Sequence, residues 1–237
     1  MQEAVKFAVV VPAFNEANHI TQTLQFLAPW RAQGALVIVV DGGSQDETIA
    51  RCAGLVDQVI HSSKGRAIQM NSGARLAISD YQCDAVVFVH ADTWVPAKGL
   101  EQIRQHMSGV VRAKDSIVWG RFDVGIFGQS RWLPVIAWFM NVRSRITSIA
   151  TGDQTIFMTR TAFQRVGGFP DLPLMEDVQM SDNLRRYCKP ICLKLKVNTS
   201  GRRWETRGII QTVALMWSLR LRYWIGTPAD VLAKKYR

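Results

Sequence analysis

Phe7-Ala8-Val9-Val10-Val11 runs straight into Pro12-Ala13-Phe14-Asn15-Glu16, and Leu36-Val37-Ile38-Val39-Val40 runs into Asp41-Gly42-Gly43-Ser44. Both are short, β-branched apolar runs that stop at a turn. A strand with one wet face alternates polar and apolar residues; these do not, so both faces must be covered, as in a parallel sheet between helices. Ala85 to Val89 is a third such run, ending in His90-Ala91-Asp92. Between the first two, Ile20, Leu24 and Leu27 share a helical face. After the second, Ser44 and Glu47 have capping-box spacing and predict the start of the next helix, and Lys64-Gly65-Arg66-Ala67 predicts another. Strand and helix alternating in this way predict an α/β fold: a right-handed βαβ series with a mostly parallel central sheet sandwiched by helices.

Beyond Ser116 the pattern is less regular. Val118 to Val124 and Thr155 to Thr159 read as further strands, and Gly167-Gly168-Phe169-Pro170 as a turn ahead of Met175-Glu176-Asp177. No repeat or linker divides the chain, so the expected organisation is one domain over residues 1–195 and a basic, Trp-containing segment over 196–237.

The 237 residues, 48% of them hydrophobic, suffice for a full core, and a formal charge of +10 calls for anionic partners. Nucleic acid, a phosphorylated substrate and an acidic membrane all satisfy the charge. Cys52, Cys83, Cys188 and Cys192 are scattered and read as free thiols; Cys188 and Cys192 lack a second ligand pair for zinc. The first residues show no basic, apolar and cleavage regions of a signal peptide, so a cytoplasmic protein is expected.

The chemistry lies where the apolar runs end. Acids at the ends of successive strands point to one mouth in an α/β sheet, the usual ligand site of such folds. Pro12, Ala13, Asn15 and Glu16 bring backbone close to a ligand before a helix begins. Asp41 can accept hydrogen bonds from a nucleobase or ribose, with Gly43 letting the chain approach. Lys64 and Arg66 put cations at a helix N-terminus, where phosphate is favoured. Asp92 can hold a divalent cation bridging two phosphates. A dinucleotide-dependent dehydrogenase is excluded by spacing, because no G-x-G-x-x-G follows the first strand.

Taken together, Val10 to Glu16, Asp41 to Thr48, His90-Ala91-Asp92 and Glu176-Asp177 resemble the motifs of the inverting family 2 glycosyltransferases of GT-A fold, in a small single-domain form. The resemblance implies a hexosyltransferase-type enzyme with a nucleoside-diphosphate sugar, uridine diphosphate first, as donor and Mn²⁺ or Mg²⁺ as cation. By resemblance Asp41 faces the base, Asp92 the cation and Asp177 is the general base, with Glu176 orienting it or touching the acceptor. His90 stands where the family has the first acid of D-x-D, and is retained as a metal candidate. Thr151-Gly152-Asp153-Gln154 resembles a segment of a small-enzyme branch and makes Gly152, Asp153 and Gln154 acceptor candidates. Arg203 and Trp204, in Ser200-Gly201-Arg202-Arg203-Trp204, resemble a shortened R-W motif of the polymer synthases, without its leading Gln.

Gly208 to Ile225 is apolar and aromatic but carries Gln211, Arg220 and Arg222. As a helix it places Ile210, Val213, Trp217, Leu221 and Trp224 on one stripe, with Lys234, Lys235 and Arg237 following. This describes either a helix packed on its own domain or in a dimer, or one lying on an anionic membrane. Trp132 to Val142 is a second apolar segment that fits either arrangement. The reading is of a peripheral enzyme on the inner face of the cell membrane that glycosylates a hydroxyl acceptor, lipid-linked, with no nucleic-acid partner. A sugar-phosphate nucleotidyltransferase would need a glycine-rich cationic signature at the first strand, which is absent. A non-catalytic basic protein binding membrane or nucleic acid would explain the charge but not the acids.

Overall fold

The structure, a computed structural model, describes residues 5–111 and 116–236, without the side chains of 108–111 and 203. The first half alternates as expected: β1 (Phe7–Ala13), α1 (Ile20–Ala32), β2 (Leu36–Asp41), β3 (Gln58–His61), α2 (Arg66–Ser79) and β4 (Ala85–Phe88). Then follow β5 (Thr93–Trp94), α3 (Gly99–Val111), β6 (Trp119–Phe127), α4 (Leu133–Thr147), β7 (Ile156–Thr159), α5 (Arg160–Val166) and α6 (Glu176–Arg185). The chain closes with β8 (Ile191–Ser200), α7 (Arg202–Arg207), α8 (Ile209–Trp224) and α9 (Ala229–Tyr236).

The strands form one sheet in the order β3-β2-β1-β4-β7-β6-β8-β5. From β3 to β4 all neighbours are parallel, with Val9 opposite Val37 and Val87; β7 enters antiparallel to both β4 and β6. The continuous apolar runs are explained by the two layers that cover them. Val9, Val11, Val37, Val39 and Val87 pack on one face with Ile20, Leu24, Leu27 and Trp30 of α1. Ala8, Val10, Ile38, Val40 and Val86 pack on the other with Ala67, Met70, Ala74 and Ala77 of α2. Gly73 sets that second spacing: a Cβ there would lie 2.5 Å from Val10 and 2.8 Å from Val40, so α2 sits closer to the sheet than any larger residue allows.

Two expectations are corrected. Ser44 and Glu47 do not cap an α-helix. The Ser44 hydroxyl accepts the Asn15 N–H (2.9 Å) and Glu47 pairs with Arg51 (2.6 Å), leaving a loop and a single 3-10 turn at Ala50–Cys52. Side chains spent on neighbouring loops are not available to a helix end. The boundary expected near Leu195 falls inside β8, which pairs with β6 as far as Phe127 opposite Ser200. β8 escapes a search for apolar runs because Lys194 and Lys196 alternate with buried residues: one face is wet. No helix among the described residues is long and apolar enough to cross a membrane. The four cysteines are unpaired, Cys52 and Cys83 buried.

Candidate active site

The carboxyl ends of β1 and β4, the N-termini of α2 and α6, and the turn before β7 open into one cavity of about 1410 Å³. Glu16, Arg66, His90, Asp92, Gly152, Asp153, Glu176 and Asp177 line its floor, and α4 and α8 form its walls. Glu16, Arg66, His90 and Asp92 meet because parallel β1, β3 and β4 deliver the loops that follow them to one edge of the sheet; antiparallel β7 begins at that edge with Gly152-Asp153 just before it, and Asp177 of α6 is bonded to Gly152.

Asp177 is fixed through both carboxylate oxygens. Its Oδ2 accepts the Gly152 N–H at 2.8 Å and its Oδ1 the Val178 N–H at 2.7 Å. The turn carrying Gly152 is held in its own right. Gln154 Oε1 accepts the Thr151 N–H (3.2 Å), the Gln154 N–H donates to the Thr151 carbonyl (2.9 Å), Gln154 Nε2 donates to Asn141 Oδ1 (3.3 Å), and Ser181 of α6 accepts the Ala150 N–H (3.1 Å). Gln154 is therefore a buried strut and does not line the cavity, whereas Gly152 and Asp153 do. His90 packs against this turn: Nδ1 lies 3.4 Å from Asp153 Oδ1, and a Cβ on Gly152 would fall 2.2 Å from the ring. The imidazole is engaged by the loop that positions Asp177.

Glu176 is buried beside Asp177. Burial, reinforced by the Asp177 charge, pushes its carboxyl above the ordinary range, with Arg66 opposing. Arg66 is open to the water of the cavity although protein surrounds that cavity; enclosure works against its charge, but Glu176, Asp153, Asp177 and Asp92 outweigh it and raise its pKa. Glu16 is pushed up first by burial and then by Asp92, with Arg202, Arg66 and His90 opposing. Glu16 and Asp92 therefore repel each other across the cavity floor. Two hard carboxylates close enough to repel, only partly offset by Arg66 and Arg202, suit an oxygen-preferring divalent cation. No cluster of three or more His, Cys, Asp and Glu with metal-ligand spacing occurs among the described residues, so a cation there would draw its other ligands from donor phosphates and water.

The remaining nucleotide candidates lie beside the cavity rather than on it. Asp41, at the end of β2, is buried and accepts the Gly43 N–H (3.0 Å), the Ser44 N–H (3.1 Å) and a contact from His61 Nδ1 (3.3 Å). Burial works to raise its pKa, but the Ser44 and Gly43 donors and His61 prevail and lower it. Asn15, at φ +54°, accepts the Gln45 N–H (2.8 Å) and knits the β1 and β2 loops together. Pro12 and Ala13 are buried in β1, and Lys64 sits over the Phe14 ring at 3.7 Å. Trp204 lines the cavity; the Arg203 side chain lies outside the described residues.

Three contributors escape sequence reading. Gln69 donates from α2 to the carbonyls of Ala13 and Val40, both at 2.8 Å, tying two strand ends together. Arg202 Nη1 reaches His19 Nε2 at 3.0 Å and brings the C-terminal segment over the β1 side of the mouth. Arg143, inside the apolar α4, lines the cavity, and its Nη2 is buried with no hydrogen-bond partner among the described residues. Only the last had a signal: a cation in an aromatic helix.

The family model described as Glycosyl transferase family 2 matches residues 8–167. Among solved structures, S. aureus TarS 1-349 in complex with UDP is 19% identical, with a TM-score of 0.61 over 83% of this chain and 60% of that one. The same protein with UDP-GlcNAc gives 20% identity, TM-score 0.61, 83% and 58%. The mannosyltransferase PcManGT from Pyrobaculum calidifontis, in complex with GDP-Man and Mn2+, gives 20%, 0.58, 83% and 57%. The chain thus spans about three fifths of the length of these structures. No curated protein matches it.

Proposed function

The chain belongs to glycosyl transferase family 2 and has the GT-A fold, and from that premise we propose that it is an inverting glycosyltransferase, moving a sugar from a nucleoside diphosphate to a hydroxyl of a lipid-linked acceptor. The observation that carries this reading is Asp177: a carboxylate in the cavity, both oxygens fixed by backbone N–H groups, opposite Arg66 and Asp92. Asp177 takes the proton from the acceptor hydroxyl as that oxygen attacks the anomeric carbon. The bond from carbon to the diphosphate oxygen breaks on the opposite face, its electron pair leaves with the diphosphate, and the configuration inverts. Arg66, at the N-terminus of α2, holds the departing phosphates. Glu176, buried and disfavoured as an anion, orients Asp177. The nucleoside lies along the β1 and β2 ends, where Asp41 braces the Gly43-Ser44 turn. Asp92, with Glu16 beside it, would hold a divalent cation, which when bound supplies Lewis-acid neutralisation of the leaving group.

Titration with uridine and guanosine diphosphates, with and without Mn²⁺, tests the donor half. Binding should strengthen with the cation in the wild type and lose that response in Asp92→Ala, while His90→Ala changes it less. A metal response in Asp92→Ala equal to the wild type would remove Asp92 from the cation site.

The acceptor half rests on the walls. Trp132, Val135, Trp138, Phe139 and Ile146 of the α4 region and Ile210, Trp217, Leu221 and Trp224 of α8 are exposed. The α8 helix docks on the domain by another face, through Leu215, Leu219 and Tyr223 against Leu174, Met175 and Leu232, so the aromatic stripe is left exposed where it lines the open cavity. An exposed aromatic stripe near Lys234 and Lys235 suits an anionic bilayer surface, on the inner face of a cytoplasmic membrane. Substituting Trp217, Leu221 and Trp224 together by Gln should leave the melting temperature nearly unchanged and abolish flotation with anionic vesicles. Flotation at the wild-type level would return the stripe to solvent.

A further inference from the structure

Arg143 is a charge the transfer chemistry does not use. Its Nη2 is buried without a hydrogen-bond partner among the described residues, on the cavity wall. Burial lowers its pKa, Arg121 adds to that effect, and Asp177 is the anion within reach that opposes it. Arg143 is half-buried and lines the cavity, and a guanidinium with one unmet donor is costly unless a turn of the side chain brings that donor to an incoming ligand. Phe139 and Met140 of α4 and Val213 and Trp217 of α8 line the same cavity and give it an apolar wall, with Arg220 also on the lining. Cation, apolar wall and base therefore share one cavity, as they would for a molecule with an anion, a hydrocarbon tail and a hydroxyl.

We propose that Arg143 is the anion anchor of the acceptor subsite, and that the acceptor is a phosphodiester lipid whose headgroup carries a free hydroxyl, with the phosphate on Arg143, the acyl chains between α4 and α8, and the hydroxyl at Asp177. The surrounding charges select the diester over a phosphomonoester lipid. Asp177 lies within electrostatic reach of Arg143, and Asp153 and Glu176 share the same floor. A diester brings a single negative charge and a neutral nucleophile to these acids. A monoester brings close to two negative charges, and its own oxygen would be the nucleophile, leaving Asp177 without a proton to take. This assignment rests on the glycosyltransferase reading for its hydroxyl, but its binding can be measured separately.

The probes are dihexanoylphosphatidylglycerol and dihexanoylphosphatidic acid, both used as monomers below micelle formation so that the net charge of the protein does not attract a surface. Calorimetry on the wild type should give tighter binding of the phosphatidylglycerol. Arg143→Gln should weaken that binding at least about tenfold, the size of a lost charge-assisted hydrogen bond. The same variant should keep wild-type affinity for uridine or guanosine diphosphate and a melting temperature no lower than wild type, since it removes a half-buried charge with an unmet donor. Equal affinity of Arg143→Gln and wild type for phosphatidylglycerol overturns the proposal, as does phosphatidic acid binding as tightly as phosphatidylglycerol. Nucleotide binding measured on the same samples tells which reading has failed: intact nucleotide binding with no effect of Arg143→Gln overturns the lipid anchor alone.

Discussion

Asp177→Asn is expected to bind donor and cation as the wild type does and to lose sugar transfer by at least about a hundredfold, because a positioned general base typically contributes 10² to 10⁴ in rate. The amide has the size of the carboxylate but cannot take the proton. It also cannot satisfy both backbone donors: its oxygen can accept either the Gly152 or the Val178 N–H, and its NH₂ faces the other. A small drop in melting temperature should accompany the kinetic loss. Hydrolysis of the donor by water must be followed together with transfer, since the same carboxylate would activate either nucleophile. Normal turnover in Asp177→Asn with a dead Glu176→Gln would move the base to Glu176, and activity in both would end the assignment.

Gly152→Ala should be nearly as damaging although the residue contributes no side chain. The new Cβ would sit 2.2 Å from Cε1 and Nε2 of His90, so either the ring or the turn must move. The turn carries the N–H that aims Asp177. A displacement of about 1 Å in a reacting group can cost on the order of a hundredfold. Nucleotide affinity should be preserved, which separates misaim from a lost donor site. Removing the opposing ring relieves the clash, so the double variant His90→Ala/Gly152→Ala should recover part of the loss. If Gly152→Ala turns over at the wild-type rate, the turn is not what orients the base.

The sequence is readable where one physical requirement acts on contiguous residues. A strand covered on both faces must be apolar throughout, and β1, β2 and β4 were recognisable for that reason. Helix α1 follows from Ile20, Leu24 and Leu27 alone. Strand β8 runs through the boundary expected at residue 195 because its exposed lysines hide it from a search for apolar runs, and Ser44 and Glu47 do not form a capping box because their partners come from elsewhere in the loops. At the site, acids carry their chemistry in their type, so Glu16 and Asp92 beyond strand ends and Glu176 and Asp177 at the start of α6 can be named together. Residues that act by holding others have no such mark. Gln154 matched a motif but serves as a strut, and Gln69 matched none. His90 reads as a candidate metal ligand by position, and the structure adds that its Nδ1 lies against Asp153 of the neighbouring turn.

Helix α8 offers two faces with separate duties, and this bears on how the protein can be handled. Met175, immediately before the acids, is held at φ +69°, a conformation unfavourable for a side chain with a Cβ, and it packs in the small cluster with Leu219 and Leu232. Trimming the chain at Gly208 to make it more tractable would strip that cluster and free the backbone kink that presents Glu176 and Asp177. Repainting the exposed Ile210, Trp217, Leu221 and Trp224 leaves it intact, though the last three also line the open cavity. A water-loving form with its acids still aligned is thus within reach by surface substitution and out of reach by truncation.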